Sequence, residues 1–324
     1  MHPEIESRLT SMSQHGDIPH LLFHGPRGSG KMTLVTHLLT KLYGPGVSRV
    51  TTEKRVVQTM SPKHTIEIDV RVSNYHIEME PSDAGANDKY VVQHAIKEMA
   101  NNGSIAAVFK SCDVTHKTIV LRGAGNLSKQ AQAGLRRTME KFTASCRLIL
   151  VSTFASRVIE PLRSRCVPVR VPLPSAKNLT AVIAVDDEAL AQEIVRSSGR
   201  SISRAMFMAK AGSADKMAWV QYIESICNGV FLEQSPRKLI DARDSLNELL
   251  MAGVPATVVL KTLMHGLLAH PNLKGEDGVK RDIVKWAAMY EHRICVGSKD
   301  ILHLEAFIAS FMDLYKSHTV GQFS

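Results

Sequence analysis

The sequence is poor in aromatic residues, in paired cysteines and in long apolar runs. Aromatic side chains make up 5% of the 324 residues, so aliphatic and methionine contacts must dominate the core. The five cysteines include no Cys-x-x-Cys pair, which argues against a zinc site and is typical of free thiols in a reducing compartment. No run approaches the roughly 20 apolar residues that span a bilayer, and the opening MHPEIESRLT lacks the apolar core of a signal peptide. We expect a soluble intracellular protein with no membrane partner.

Acidic residues are also in deficit. The chain has 31 Asp and Glu against 40 Lys and Arg, which gives a formal net charge of +9. A basic excess of this size favours a polyanionic partner, although a merely soluble basic protein has the same composition. Hydrophobic residues at 44% and charged residues at 22% indicate a folded chain, and its length allows two or three domains.

Strand and helix patterns alternate in the first half of the chain. Ile66, Ile68, Val70 and Val72 alternate with charged residues, which predicts a half-buried strand. Further strands are predicted at residues 20–23, 75–79, 118–121 and 148–152, and helices at residues 31–42, 87–100 and 128–142. Ser128 is a suitable N-cap for the last of these helices. Strands that alternate with helices predict an α/β domain with a parallel sheet.

The pattern changes at Val171-Pro172-Leu173-Pro174-Ser175, which reads as a linker. We predict three domains: an α/β domain over residues 1–172, a small helical domain over residues 173–212 and a second helical domain over residues 213–324. Ser235 and Pro236 predict a helix start. The last helix follows Gly297 and carries apolar residues three and four apart, which form either an internal core or a subunit interface: Ile301, Leu304, Ile308, Phe311, Met312 and Tyr315.

A glycine-rich run joins the first strand to the first helix of the α/β domain. It matches the first seven positions of the phosphate-loop pattern GxxxxGK[ST], in the strand–loop–helix context that the pattern requires. The residues are Gly25, Pro26, Arg27, Gly28, Ser29, Gly30 and Lys31. Inward-turned backbone N–H groups, the helix dipole and the Lys31 ammonium all favour a phosphate. The alternative is a purely structural glycine-rich turn.

The residues that would hold a metal ion beside this loop are missing. The eighth position is Met32, whose thioether is a poor ligand for Mg²⁺, and Thr33 lies about 100° further around the helix. An active ATPase carries an Asp-Glu pair after a later strand, but Arg122 and Gly123 follow the strand at residues 118–121. No carboxylate occurs from Lys117 to Met139. We predict that nucleotide bound here is not hydrolysed and that Mg²⁺ binds weakly or not at all.

Short motifs at residues 73–76, 81–85, 135–140 and 161–166 resemble those of the small subunits of replication factor C, an AAA+ family. Leu135-Arg136-Arg137-Thr138-Met139-Glu140 looks like the helix after the acidic strand, and Pro161-Leu162-Arg163-Ser164-Arg165-Cys166 resembles the family's Ser-Arg-Cys box. Ser73-Asn74-Tyr75-His76 with Pro81-Ser82-Asp83-Ala84-Gly85 is similar to one branch, numbered 3 in human and 5 in yeast nomenclature. The resemblance extends over nearly the whole chain, with the motifs in order.

The resemblance implies a nuclear subunit of a heteropentameric, ATP-driven clamp loader. The partners that it implies are four other replication factor C subunits, the sliding clamp (proliferating cell nuclear antigen) and primer–template DNA. Residues 1–172 would be the AAA+ nucleotide-binding domain, residues 173–212 its lid and residues 213–324 a collar that holds the pentamer together. On this resemblance, we favour a subunit interface for the apolar stripe of the last helix.

The family's functional positions carry over to particular residues. The resemblance assigns ATP or ADP to residues 25–31 with Met32 and Thr33, and gives Arg165 the role of an arginine finger for a neighbour's ATP. Thr153 stands where active relatives have a sensor asparagine, and Ser203 stands where the lid has a sensor arginine. The family's segment that lines the adenine pocket is not found before Glu4.

Lys89, at a helix start, is the candidate for contact with DNA phosphates, and a solvated surface lysine is the alternative. The other functions considered for the chain are a scaffold subunit shared with a checkpoint or repair complex, an independent P-loop ATPase and a plain nucleic-acid-binding protein.

Overall fold

The computed structural model describes residues 2–13, 17–58, 65–101, 116–142, 146–183, 187–212, 217–297 and 299–322. Contacts divide the chain into two compact units, Met1–Ala214 and Asp215–Ser324. The boundary lies two residues beyond the predicted start of the C-terminal domain. The first unit contains both the sheet and the helices of the predicted lid, so the three-domain division stays a prediction.

A sheet of seven strands forms the centre of the first unit in the described part of the chain. The strands are β1 (Leu21–His24), β2 (Thr51–Gln58), β3 (Thr65–Val72), β4 (His76–Met79), β5 (Lys117–Leu121), β6 (Cys146–Ser152) and β7 (Val167–Arg170). Their order across the sheet is β2-β3-β4-β5-β6-β1-β7. The strands predicted near residues 21, 66, 76, 118 and 148 are confirmed.

Five adjacent strands of the sheet, β4, β5, β6, β1 and β7, are parallel, as the alternation of strands and helices predicts. The two strands beyond β4 are different, because β2 pairs antiparallel with β3 and β3 antiparallel with β4. Only three residues separate Val72 from His76, and a parallel connection needs a crossover of a dozen residues or more. The sheet is therefore mixed, with a parallel centre and an antiparallel edge.

Helices cover the two faces of the parallel strands. The helices of the first unit are α1 (Pro3–Ser13), α2 (Lys31–Tyr43), α3 (Asp88–Asn101), α4 (Lys129–Lys141), α5 (Glu160–Arg163), α6 (Ala176–Ile183), α7 (Glu188–Ser197) and α8 (Ile202–Ala211). Helices α1 and α2 pack on one face, and α3, α4 and α5 on the other. Ser128 caps α4 by accepting a hydrogen bond from the Ala131 N–H at 3.1 Å, as its position predicts.

Helices α6, α7 and α8 have a separate small core, in which Leu179, Ile194 and Ala205 are fully buried. These helices follow the Pro-rich linker directly. The sequence therefore predicts correctly that the chain becomes helical after residue 175.

The second unit is helical throughout its described residues. Its helices are α9 (Ala218–Leu232), α10 (Pro236–Met251), α11 (Ala256–Ala269), α12 (Asp277–Val296) and α13 (Asp300–Gln322). Ser235 caps α10 through the Lys238 N–H, which confirms the predicted helix start. No helix in the described residues of either unit is long and apolar enough to cross a membrane.

The apolar stripe of α13 lies in the core of the second unit, so its assignment to a subunit interface is wrong. Leu304, Ile308, Phe311 and Met312 are buried within this unit. Ile301 and Tyr315 are partly buried against the same core. The α13 stripe is buried inside the second unit because α10, α11 and α12 pack against it.

Candidate functional site

The glycine-rich run forms a turn at the carboxyl edge of the sheet, between β1 and α2. Gly25, Gly28 and Gly30 have positive φ angles of 152°, 75° and 86°. A Cβ atom on Gly25 would lie 2.0 Å from the Val171 carbonyl oxygen, and one on Gly28 would lie 1.9 Å from Ser201 Oγ. The strand–loop–helix arrangement that the sequence predicts is therefore present, and these glycines are required by close contacts.

Lys31 is the first residue of α2 and points back into the loop. Its Nζ donates to the carbonyl oxygens of Gly25 and Pro26, both at 2.7 Å. Burial lowers the pKa of Lys31, and the charge of Arg27 lowers it further. A bound anion would act in the opposite direction on this pKa, because it favours the charged ammonium.

Met32 and Thr33 take different environments in the first turn of α2. Met32 is half-buried and packs against the core that α1 and α2 share with the sheet. Thr33 is exposed. The position that holds a metal-binding hydroxyl in the phosphate-loop pattern thus holds a thioether that contributes to the core.

Two contacts that the sequence patterns did not predict support the loop. The backbone N–H of Ile202, at the start of α8, donates to the Gly28 carbonyl at 2.8 Å. The ring Nε2 of His2 lies 3.1 Å from the Ser29 carbonyl oxygen. Ser29 is fully buried, and its Oγ has no hydrogen-bond partner among the described residues. These contacts join distant parts of the chain, so no local pattern could reveal them.

The end of β5 is the second element of the site. Arg122 follows β5 directly, as predicted, and its N–H donates to the Met79 carbonyl at 2.9 Å. The guanidinium forms an ion pair with Glu80 at 3.4 Å. Gly123 has a positive φ of 65°, and a Cβ atom there would lie 3.0 Å from Glu80 Oε1. The carboxylate of Glu80 therefore lies in the space of a side chain at position 123.

The strand beside β1 contributes Thr153. Strand β6 ends at Ser152, whose buried Oγ donates to the Phe154 carbonyl at 2.9 Å. Thr153 is half-buried and follows this strand end. Gly125 packs closely here, because a Cβ atom on it would lie 2.5 Å from Ser152 Oγ.

The predicted lid positions lie at the start of α8. Ser203 is exposed, and Arg204 is half-buried. The Nε atom of Arg204 has no hydrogen-bond partner among the described residues.

The two positions that bind the metal in the phosphate-loop pattern hold other side chains here. Among the described residues, no group of three or more His, Cys, Asp or Glu side chains is placed to hold a metal ion. Met32 and Arg122 stand at the positions that bind the metal in the phosphate-loop pattern. A thioether and a guanidinium do not bind Mg²⁺, which prefers hard oxygen donors.

Arg165 lies at the opposite edge of the sheet from this loop. It precedes β7, which runs parallel to β1 with Val167 paired to Leu21. The loop follows the last residue of β1, so a strand length of roughly 13 Å separates the two edges. Arg165 Nη1 donates to the Pro161 carbonyl at 2.8 Å, and Nη2 lies 2.6 Å from Glu140 Oε1. Arg165 therefore cannot serve the loop of its own chain.

Lys89 lies in the first turn of α3, with its Nζ 4.8 Å from the ring centre of Tyr90. The preceding residue, Asp88, is buried and accepts hydrogen bonds from the N–H and Oγ of Ser128 at 2.5 and 2.8 Å. A carboxylate thus already occupies the N-terminus of α4 beside Lys89.

The strand order, the loop after β1 and the helices that follow the sheet define a P-loop domain of the AAA+ class. A protein of known structure, the DNA polymerase III gamma subunit-related protein of Thermotoga maritima, shares this fold with a TM-score of 0.53. It is 13% identical over 96% of this chain and 99% of its own. Residues 1–175 match the family described as DNA polymerase III, delta subunit. Residues 219–319 match the family described as Replication factor C subunit 3, C-terminal domain.

Curated relatives extend the match to the full chain. Replication factor C subunit 3 of Arabidopsis thaliana is 38% identical over 100% of this chain and 95% of its own length. Replication factor C subunit 3 of Homo sapiens is 38% identical over 97% and 92%, and subunit 5 of Neurospora crassa is 38% identical over 99% and 94%. The chain therefore belongs to the replication factor C family, as the sequence motifs predict.

Proposed function

We propose that this chain is a clamp-loader subunit that binds ATP or ADP in the loop of residues 25–31 without hydrolysing it. Membership of the replication factor C family supports the clamp-loader role. The further steps of the proposal rest on the geometry of the loop and of the strand ends beside it.

The loop has the features of a phosphate site. Three glycines turn the backbone at the N-terminus of α2, where N–H groups without helical partners and the helix dipole attract anions. The Lys31 ammonium rests on the Gly25 and Pro26 carbonyls, and a nucleotide phosphate would compete for it with a stronger charge-assisted bond. The chain's own residues therefore provide charge and hydrogen-bond donors for a polyphosphate.

The observation that carries the non-hydrolysing role is the end of β5. Hydrolysis in this class needs one carboxylate for the metal and another to activate water. In the structure, β5 ends at Leu121, so Arg122 and Gly123 occupy those two positions. Glu80, from the neighbouring strand, is paired with Arg122. Without carboxylates at these two positions, the loop would hold a nucleotide but would not cleave it.

The proposal is tested by measuring binding and cleavage on the same preparation. The full chain and its Lys31→Ala variant would be assayed for equilibrium binding of ATP and for single-turnover hydrolysis. We expect the natural chain to retain ATP without releasing phosphate, and Lys31→Ala to lose binding. Cleavage by the natural chain that is lost in Lys31→Ala would contradict the proposal.

We further propose that Arg165 acts on the nucleotide of a neighbouring subunit. Its position at the edge opposite its own loop supports a role in trans. A guanidinium suits this role, because it is always charged and its planar donors match phosphate oxygens. In the assembled complex, Arg165→Ala should slow ATP hydrolysis at least tenfold while assembly is unchanged. Arg163→Ala is a matched control two residues before Arg165, at the end of α5, and we expect it to keep the rate.

DNA contact is the next step of the proposal. Lys89, at the N-terminus of α3, is the candidate residue for the phosphates of primer–template DNA. Binding through such contacts would be independent of sequence and strongly dependent on salt. In the assembled loader, Lys89→Ala should make the plot of log affinity against log salt concentration less steep. The expected change in slope is about 1, the contribution of one phosphate contact. An unchanged slope would remove Lys89 from the interface.

The remaining partners follow from the family. We propose that the chain assembles with four other replication factor C subunits in the nucleus and acts on the sliding clamp. With the α13 stripe buried, subunit contacts must use other surfaces of the second unit. Exposed apolar side chains there include Leu232, Met251 and Val296. Native mass spectrometry of the purified complex, with its bound nucleotide, tests this composition.

A further inference from the structure

Arg122 lies on the face of the sheet that α2 covers. Val120 belongs to the core shared with α2, and Leu121 belongs to the core on the opposite face. Side chains alternate along a strand, so the next residue, Arg122, returns to the α2 side. Consistent with this, Arg122 lines a cavity of about 660 Å³ together with Met32 and Thr36 of α2. The guanidinium thus shares a cavity with the residue that replaces the metal-binding hydroxyl.

The strand register places Arg122 near the level of the loop. Leu121 pairs with Leu150 of β6, and Leu150 pairs with Leu22 of β1. The next row therefore contains Arg122 and Phe23, two residues before the loop begins at Gly25. Two strand spacings, roughly 10 Å, separate β5 from β1. The guanidinium lies on the β4 side of this edge, where it pairs with Glu80, so it must leave this partner to reach the phosphate side of the loop.

The charges at this edge replace those of a metal site. An active site of this class places a metal-binding carboxylate at this strand end. Here the end of β5 carries the positive charge of Arg122, whose ion-pair partner is Glu80. Glu78, a carboxylate that lines the cavity, is paired with His76 Nε2 at 3.4 Å. The protein has therefore built a fixed cation into a place where its relatives' pattern recruits a soluble one.

We propose that Arg122 takes the place of the divalent cation, so that this chain binds nucleotide without magnesium. This inference rests on the proposed nucleotide site. The guanidinium breaks its ion pair with Glu80 and donates to the phosphate oxygens that a metal ion would otherwise bridge. Their pair is 3.4 Å long, with side chains 38% and 34% exposed, so it is weak enough to exchange for a polyphosphate.

The test is equilibrium binding of fluorescent ADP and ATP to the full chain, in excess EDTA and in excess magnesium. We expect the natural chain to bind equally well, within about twofold, in both conditions. Arg122→Ala should weaken binding in EDTA by roughly tenfold to a hundredfold, which corresponds to a lost hydrogen bond to a charged group. Glu80→Gln should bind more tightly than the natural chain, because it removes the competing carboxylate.

Arg71→Ala is the matched control. Arg71 lines the same cavity but lies on β3, two strands from β5. In the strand register Arg71 is opposite Glu78 of β4, and Glu78 is opposite Val120, two residues before Arg122. We expect its affinity to change less than threefold. Circular dichroism and thermal unfolding of each variant identify any loss of fold, and Glu80→Gln serves the test even if Arg122→Ala unfolds.

The outcomes separate this inference from the proposed function. One outcome would overturn the role of Arg122 and leave the nucleotide site intact. In that outcome nucleotide binds only with magnesium, and neither Arg122→Ala nor Glu80→Gln changes the affinity. No binding in either condition, or binding that Lys31→Ala leaves unchanged, would instead overturn the nucleotide site itself.

Discussion

Arg165 and Glu140 form an ion pair between the segment before β7 and the last turn of α4, with Nη2 2.6 Å from Oε1. The hydrogen bond from Arg165 is the main reason why the pKa of Glu140 is lowered. Glu140 is therefore charged at neutral pH, and in the structure it holds the proposed finger against its own chain. A neighbour's nucleotide would have to draw Arg165 away from this carboxylate.

Glu140→Gln should raise ATP hydrolysis by the assembled complex by up to a few-fold, because it frees Arg165 from a competing charge at an exposed site. Steady-state rates on the complex, with and without DNA, measure this. Glu160→Gln is the control, because it removes a similar exposed partner from Arg163. A rate as low as that of Arg165→Ala would show the opposite, namely that Glu140 positions the finger for use.

Gly28→Ala should weaken nucleotide binding by at least about tenfold, because the new methyl group would meet Ser201 at the N-terminus of α8 and strain a left-handed residue. Ser201→Gly in the same chain should restore part of the affinity, since it removes the contact but not the strain. Gly44→Ala is matched, with a φ of 84° and no atom within 4 Å of the new Cβ. We expect Gly44→Ala to lose stability only, and equal losses of affinity in both variants would contradict this account.

Asp88→Ala should destabilise the first unit by about 2–3 kcal/mol, because it removes two charge-assisted hydrogen bonds that join α3 to the cap of α4. Urea unfolding of the full chain measures this loss. Asp187→Ala removes the exposed cap of α7 and should cost only about 1 kcal/mol. If the two variants lose the same amount, Asp88 does not have the structural role assigned to it.

Stability should fall as the pH drops from 6.5 towards 4. Burial, together with the charge of Arg147, lowers the pKa of His116 from 6.5 to about 4. The unfolded chain therefore binds a proton in this range that the folded chain does not, so the free energy of unfolding increases with pH, by at most about 3 kcal/mol from this group. Urea unfolding at several pH values should give a shallower dependence for His116→Leu. An unchanged slope would exclude His116 as a source of the acid sensitivity.

Local signals in the sequence predicted much of the fold. Ser128 and Ser235 are caps because each accepts a hydrogen bond from the residue three positions on, a contact within one turn. The glycine-rich loop and the strand that ends before Arg122 are equally local. The α13 stripe was assigned to the wrong partner, because spacing along a helix shows that a face is buried but not which surface covers it.

The elements that the sequence did not predict have ambiguous patterns or distant partners. Strand β2 is mostly exposed at the edge of the sheet, and β7 contains Pro168, which weakens a strand signal. The pairing of Arg122 with Glu80 joins the ends of two strands, and the contact of His2 with Ser29 joins the N-terminus to the loop. The first contact depends on strand order and the second on where the N-terminus packs, and no spacing in the sequence specifies either.

The most direct test uses a complex in which every partner subunit carries a disabled phosphate loop and this chain keeps its own. The complex would be isolated after incubation with radiolabelled ATP and magnesium, and its bound nucleotide and released phosphate would be measured over several hours. We predict that one nucleotide stays with this chain and that no phosphate appears beyond the level of a complex with Lys31→Ala. Phosphate released in proportion to the bound ATP, and lost in Lys31→Ala, would contradict the account.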